Sequence, residues 1–197
     1  MKVLIACEES QAICKEFRRL WHEAYSCDII ECSWWHPEWH IQWDAVEVSY
    51  REHWDMMIAH PPCTYLSNAW ARFLYPGWVI NEDRYKKWMK AKEFFMLLLN
   101  APIERIAVEN PVQSKIYGIP KYTQSIQPYH FGHPFQKKTC LWLKNLPLLK
   151  PTEIVEKPQS TKVVWNWFNK WWKDRQKNRS KTFPGIAKAI AEQWSNL

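Results

Sequence analysis

The chain has 197 residues, 47% hydrophobic and 24% charged, with 27 Lys and Arg against 20 Asp and Glu for a formal net charge of +7. That length supports one good core rather than two full domains, and no apolar run approaches the roughly 20 residues of a membrane-spanning helix. No cleavable signal segment is expected. Six cysteines, at positions 7, 14, 27, 32, 63 and 140, are scattered without a CxxC pair and read as reduced thiols of a cytoplasmic protein.

In chain order, KVLIA (Lys2 to Ala6) predicts a buried first strand, and Ser10 to Leu20 a helix with Ser10 as N-cap. Ala24 to Ile30 predicts a second strand ending near Asp28, and residues 31 to 53 are expected to be mostly loop. Asp55 to Ala59 is a further strand. Glu82 to Asn100 reads as the longest helix, with apolar residues at 85, 88, 89, 91, 94, 95, 98 and 99 forming a stripe against a sheet. Arg105 to Val108, Ser125 to Tyr129 and Thr139 to Leu143 read as strands. Pro184 opens a closing helix to Trp194. Alternating strands and helices argue for a doubly wound α/β sheet.

The chain has 15 tryptophans and 4 glycines, whereas average usage of about 7% would give ~14 glycines. Several tryptophans stand where backbone geometry favours glycine. Trp21 follows the helical run RRL, the site of a left-handed helix terminator, and Trp78 follows Pro76-Gly77 in a turn. Replacing Trp21, Trp34, Trp35, Trp43, Trp70, Trp78, Trp88, Trp165, Trp171 and Trp172 by glycine gives 14 glycines and 5 tryptophans, both ordinary counts. A glycine codon of the UGA type translated as tryptophan explains this; a Trp-rich protein that uses its rings for stacking is the alternative.

Two segments carry chemistry. In DMMIAHPPCTYLS (Asp55 to Ser67) an apolar strand ends in a double proline followed by Cys63, where an α/β enzyme displays a nucleophile. In RIAVENP (Arg105 to Pro111) a second strand delivers Glu109 and Asn110 to a proline expected to end it. Parallel strands end on one edge, where such sheets hold ligands, so thiol and acid are expected to face one pocket. Cys27, Cys32, His36 and His40 have spacings within reach of a zinc site, but Cys27 lies in a strand and the others in the adjoining loop, so no metal is expected.

The order Asp28, Asp44, PPC, ENP and a late Gln-basic segment resembles the DNA cytosine-5 methyltransferases, in the compact form found in phages and prophages. His60-Pro61-Pro62-Cys63 matches the family's Gly-Pro-Pro-Cys and Glu109-Asn110-Pro111 its Glu-Asn-Val, while Gln136-Lys137-Lys138-Thr139 falls where the family has a glutamine with spaced arginines. Phe183-Pro184-Gly185 resembles the segment that returns to complete the cofactor pocket. The resemblance implies a Rossmann-like, doubly wound, mostly parallel sheet of the S-adenosylmethionine-dependent type. It implies a single methyltransferase domain, with sheet and helices over 1–145, a basic irregular segment over 146–181 in place of a large target-recognition domain, and a closing helix over 182–197.

It also implies S-adenosylmethionine as cofactor and DNA as partner, leaving sequence recognition open to a separate specificity subunit. Cys63, Glu109 and Asn110 would be catalytic. Ala6, Cys7, Glu8, Asp28, Ile29, Asp44, Ala45 and Pro61 would hold the cofactor, with Asp28 on the ribose hydroxyls and Asp44 on the adenine amine. Departures are Glu8-Glu9-Ser10 in place of a glycine-rich first loop and Thr64 in place of a glutamine. The alternatives are a methyltransferase with another nucleic-acid target and a nucleic-acid-binding protein on a degenerate methyltransferase fold.

Gln136, Lys137, Lys138 and the late cations Lys173, Arg175, Lys177 and Arg179 are the expected nucleic-acid contacts. If the four late cations touch phosphates, changing all four to alanine is expected to flatten the slope of log K against log salt by up to about 0.9 per lost contact, without altering sequence preference. An unchanged slope in salt titrations would mark a solvated run.

Overall fold

A computed structural model describes residues 1–34, 36–159 and 181–197. Three short apolar runs form the centre of one sheet: β1 (Lys2–Ala6), β4 (Met56–Ala59) and β5 (Arg105–Pro111). β2 (Glu23–Asp28) and β3 (His40–Gln42) extend it on one side, β6 (Gln124–Ile126) and β7 (Thr139–Lys144) on the other. The strand order is β3-β2-β1-β4-β5-β7-β6. Strands β1 to β5 pair in parallel, whereas β7 runs antiparallel between β5 and β6. This is the doubly wound, mostly parallel α/β sheet expected from the sequence.

Side chains alternate across a strand, and the central strands are buried on both faces, which is why their runs are continuously apolar. Val3, Ile5, Met56, Ile58, Ala107 and Leu141 point to one face, against α1 (Ala12–Arg19) and α5 (Pro184–Trp194). Leu4, Ala6, Met57, Ala59, Ile106, Val108 and Trp142 point to the other, against α2 (Ala45–Arg51) and α4 (Glu82–Leu99). A four-residue α3 (Asn68–Ala71) lies between β4 and α4. Gly185 is required where α5 begins, because a Cβ there would stand 2.0 Å from the carbonyl oxygen of Phe131.

Five expectations are corrected. Ser10 does not cap α1: its N-cap is Gln11, in the left-handed region, and the Glu8 carboxylate accepts from the backbone amides of Ile13 (2.8 Å) and Cys14 (3.3 Å). A glutamate three residues upstream thus meets the donors that a helix start leaves unpaired. The segment 31–53 is not mostly loop; it holds β3 and α2, the latter capped by Asp44, whose Oδ1 accepts from Glu47 N at 2.9 Å. Ile29 and Ile30 lie beyond β2, which ends at Asp28.

Pro111 is the last residue of β5 but does not stop it at Val108, since Glu109, Asn110 and Pro111 pair with Leu141, Cys140 and Thr139 of β7. The apolar stripe of α4 covers the sheet over only half its length. Phe95 and Leu98 are buried, whereas Tyr85 and Met89 are exposed. A helix of 18 residues is about 27 Å long, twice the ~13 Å of a four-residue strand such as β4, so its first half overhangs.

The tryptophans divide by environment. Trp54, Trp142 and Trp194 are buried, and each donates its indole N–H to a backbone carbonyl, of Val48, Pro120 and Pro147. Trp21 is 95% exposed at φ 64°. It occupies the residue after the end of α1, where the amides of Trp21 and His22 return to the carbonyls of Arg18 and Phe17, the bonding pattern that glycine ordinarily closes. A bulky residue there is strained. Trp21→Gly is therefore expected to raise stability by about 0.5–1 kcal/mol, the relief of left-handed strain less the added freedom of the unfolded chain. Chemical denaturation checks it; unchanged or lower stability would contradict the assignment.

Candidate active site

The edge of the sheet is set by register. Ala6 pairs with Ala59 and Ala59 with Val108, so the next residues, Cys7, His60 and Glu109, emerge side by side. The chain runs outward from β1 through β2 to β3, then returns to β4 and β5, so strand order reverses between β1 and β4. A doubly wound sheet opens its ligand crevice at that point. Ala59 and Val108 share one face, so alternation turns His60 and Glu109 together to the opposite one. His60 Nδ1 lies 3.0 Å from Glu109 Oε2, with side chains 13% and 15% exposed.

The electrostatics form one network. Burial alone would lower the His60 imidazole, but the charge and hydrogen bond of Glu109 and the charge of Glu8 outweigh it and hold His60 above its ordinary range. Burial alone would raise Glu109; His60 and then Lys137 reverse that, and Glu109 is held below the usual carboxylate range. Glu8, packed under α1, goes the other way and is raised, chiefly by burial.

Asn110 faces the other side and ties the two motifs together: its Nδ2 donates to the carbonyl of buried Pro61 at 3.0 Å, while its buried Oδ1 has no partner among the described residues. The chain after Cys63 makes a turn in which Leu66 N and Ser67 N return to the Cys63 carbonyl. It then folds onto the end of β5, with Ser67 bridging Gln113 and Asn68 N donating to Val112 O at 2.8 Å. Cys63 is thereby exposed on the edge that carries Glu109. Burial raises the thiols of Cys7 and Cys140 and pushes Cys14 and Cys27 up to about 12, leaving them poor sources of thiolate.

The expected cofactor residues line the neighbouring stretch of the same edge. Ala6 ends β1, and Cys7 turns the chain at φ 59°. Asp28 ends β2 half-buried, its carboxylate raised by that burial and accepting from Ile30 N at 3.3 Å. Ile29 is exposed, Ala45 is buried in the first turn of α2, and Asp44 is engaged as the cap of that helix. Cys27, Cys32, His36 and His40 bond instead to Trp43 O, Trp34 O, Glu38 and Ser26, and no cluster of three metal-ligating side chains occurs among the described residues.

Of the expected nucleic-acid contacts, Gln136 donates to the Pro158 carbonyl, Lys137 Nζ lies 5.8 Å from the Phe183 ring centre, and Lys138 Nζ lies 5.7 Å from that of Tyr122. Phe183 packs against His133 and Phe135 where α5 begins. Lys173, Arg175, Lys177 and Arg179 lie outside the described residues. His60 is the site residue that motif matching passed over, having been aligned with a glycine; its signal was an ionisable residue one step past Ala59, in register with Glu109.

No helix among the described residues is long and apolar enough to cross a membrane. No family model and no curated protein matches the sequence. Among solved structures, one similar chain is a prophage-encoded E. coli protein given as a candidate DNA modification methyltransferase, at a TM-score of 0.48 and 14% identity over 81% of this chain and 53% of that one. This chain thus spans about half the length of that protein.

Asn110→Ala leaves the Pro61 carbonyl without its donor and is expected to cost about 1–3 kcal/mol of stability. Urea denaturation checks it; a loss below a few tenths would show that the Asn110 bond does not hold the Cys63 loop.

Proposed function

We propose that this chain transfers a methyl group from S-adenosylmethionine to carbon 5 of cytosine in DNA, through a covalent adduct on Cys63. One observation carries the reading: an exposed cysteine stands on a loop bonded to β5, at the edge where that strand presents Glu109, while four other thiols are pushed up by burial.

The residues of the edge fit this cofactor and disfavour a phosphate-bearing one. Pyrophosphates bind such folds at the N-terminus of the first helix, where free amides and the helix dipole attract an anion. Here the Glu8 carboxylate already takes the amides of Ile13 and Cys14 in the first turn of α1, with Glu9 buried beside it. Two buried acids repel a phosphate and suit a ligand that carries a sulfonium and an ammonium group. Asp28, half-buried at the end of β2, would accept from a ribose diol.

The reaction sets the rest of the requirements. S-adenosylmethionine supplies an electrophilic methyl group, and carbon 5 of cytosine is too poor a nucleophile to take it unaided. The Cys63 thiolate adds to carbon 6; the carbon–sulfur bond forms, and the π electrons of the 5,6 double bond pass to carbon 5. Glu109 holds the N3 edge of the base, and Asn110 keeps the cysteine loop in register with it through Pro61. The base must be flipped out of its stack to reach this edge, and the net positive charge of the chain favours a polyanionic substrate.

Incubation with labelled cofactor and mixed-sequence DNA, followed by digestion to nucleosides, tests the reading. Label is expected in 5-methylcytosine, and its loss in Cys63→Ala with fold and cofactor binding retained. Label in an N-methylated base, or full activity of Cys63→Ala, would contradict it.

A further inference from the structure

Glu109 lies hydrogen-bonded to His60 as a carboxylate, and a carboxylate can accept a proton but has none to give. Addition of a thiolate to carbon 6 of cytosine leaves negative charge on the ring that a proton at N3 relieves. We propose that His60 is the proton store of this site, a positioning residue that acts through Glu109. Its Nδ1–H gives a proton to Glu109 Oε2 as the Glu109 carboxyl protonates N3, and recovers it when the adduct collapses. The inference rests on the cytosine-5 reading above.

The atoms balance. On addition the Cys63 sulfur–carbon 6 bond forms, the 5,6 π bond breaks, and one proton moves from His60 to Glu109 as another moves from Glu109 to N3. Carbon 5 then bonds the methyl group as the methyl–sulfonium bond breaks and its electrons stay on sulfur; on elimination the carbon 5 proton leaves to water, the carbon 6–sulfur bond breaks, the double bond re-forms, and N3 returns its proton along the same path. His60 does not touch the base.

Three charged groups act on the imidazole, one from each element around it. Glu109 on β5 and Glu8 after β1 favour the imidazolium; Lys137, ahead of β7, opposes it, as does burial. The acids prevail, so the imidazolium persists above the ordinary histidine range. The contribution of His60 is therefore full at lower pH and is lost as pH rises through that raised value. His60 Nε2 is buried without a partner among the described residues, so the proton it holds has no competing acceptor among them.

The test compares the pH dependence of kcat in wild type and His60→Asn, which keeps a donor toward Glu109 and cannot titrate. Wild type is expected to lose kcat as pH rises past the ordinary histidine range. His60→Asn is expected to be flat over that span, with kcat down about 100-fold or more as for a lost proton-transfer partner and KM for DNA little changed. A profile of His60→Asn that follows wild type overturns the proposal. Wild type that makes no 5-methylcytosine overturns the underlying reading instead. Should His60→Asn fail to fold, the wild-type His60 ring signal by NMR decides: it is expected to titrate above the ordinary value and to fall in Glu109→Gln, and an ordinary or lower value overturns the proposal.

The tryptophans carry a second, independent inference. We infer that Trp21, Trp34, Trp43 and Trp88, with the six others singled out by composition, stand where the natural protein has glycine, through UGA codons read as tryptophan. Trp21 occupies a left-handed helix terminator, Trp34 and Trp43 are exposed, and the Trp88 indole N–H is buried without an acceptor among the described residues. Of the five tryptophans left in place, Trp54, Trp142 and Trp194 are buried and hydrogen-bonded, Trp39 is half-buried and stacked on His36, and Trp167 lies outside the described residues. Trp35, Trp165, Trp171 and Trp172 lie outside the described residues. Codon sequencing with mass spectrometry of tryptic peptides from the native host tests this. UGA codons with glycine in the peptides are expected; UGG codons, or tryptophan in the peptides at these positions, overturn it.

Discussion

The register of three parallel strands, Ala6 beside Ala59 beside Val108, is the constraint on which the site depends. Hydrogen bonding fixes it, and burial of both faces prevents it from slipping, because a shift of one residue would turn every apolar side chain to the wrong face. With that register fixed, His60 and Glu109 must be neighbours and must face the same way. Their 3.0 Å contact is a consequence of sheet geometry rather than of a flexible loop. The same alternation sends Asn110 to the opposite side, where it can reach Pro61 and hold the chain that carries Cys63. Two motifs more than forty residues apart become one site because two strands pair in one register.

Around that edge the protein concentrates negative charge in places where a nucleotide-binding fold usually keeps none. Glu8 closes the start of α1 from within, so two amides of its first turn, those of Ile13 and Cys14, are taken by the chain itself rather than offered to a phosphate. This removes the need for a glycine-rich first loop, whose function is close approach to a pyrophosphate. The cost is a buried carboxylate, which burial raises despite two amide bonds and nearby His60. Charge at this edge therefore couples three strand ends, with His60 balanced between Glu8 and Glu109.

Much of the sheet was legible in the sequence because its central strands each carry a continuous apolar run too short for a helix. KVLIA and MMIA could be little else, and both lie within a residue of the expected bounds. The misreadings have two causes, a partner distant in sequence and an element too short to show a period. β5 continues through Pro111 because β7 lies beside it antiparallel, and no local signal in RIAVENP announces that neighbour. α2 was missed because its seven residues show too little periodicity, although Asp44 was present as its cap. In the site, Cys63 and Glu109 were visible as residues after strands. His60 was hidden by being aligned with a glycine, and its importance lies in a side-chain contact across two strands.

The central claim is that Cys63 becomes covalently bonded to the base it activates. It is tested most directly by incubating the protein with S-adenosylmethionine and DNA containing 5-fluorocytosine, where fluorine blocks the elimination that frees the enzyme, and locating the adduct by peptide mass spectrometry. The account predicts a stable complex whose DNA-linked peptide contains Cys63 and no other modified cysteine. Absence of a complex from folded, cofactor-binding protein, or attachment through Cys7 or Cys32, would contradict it.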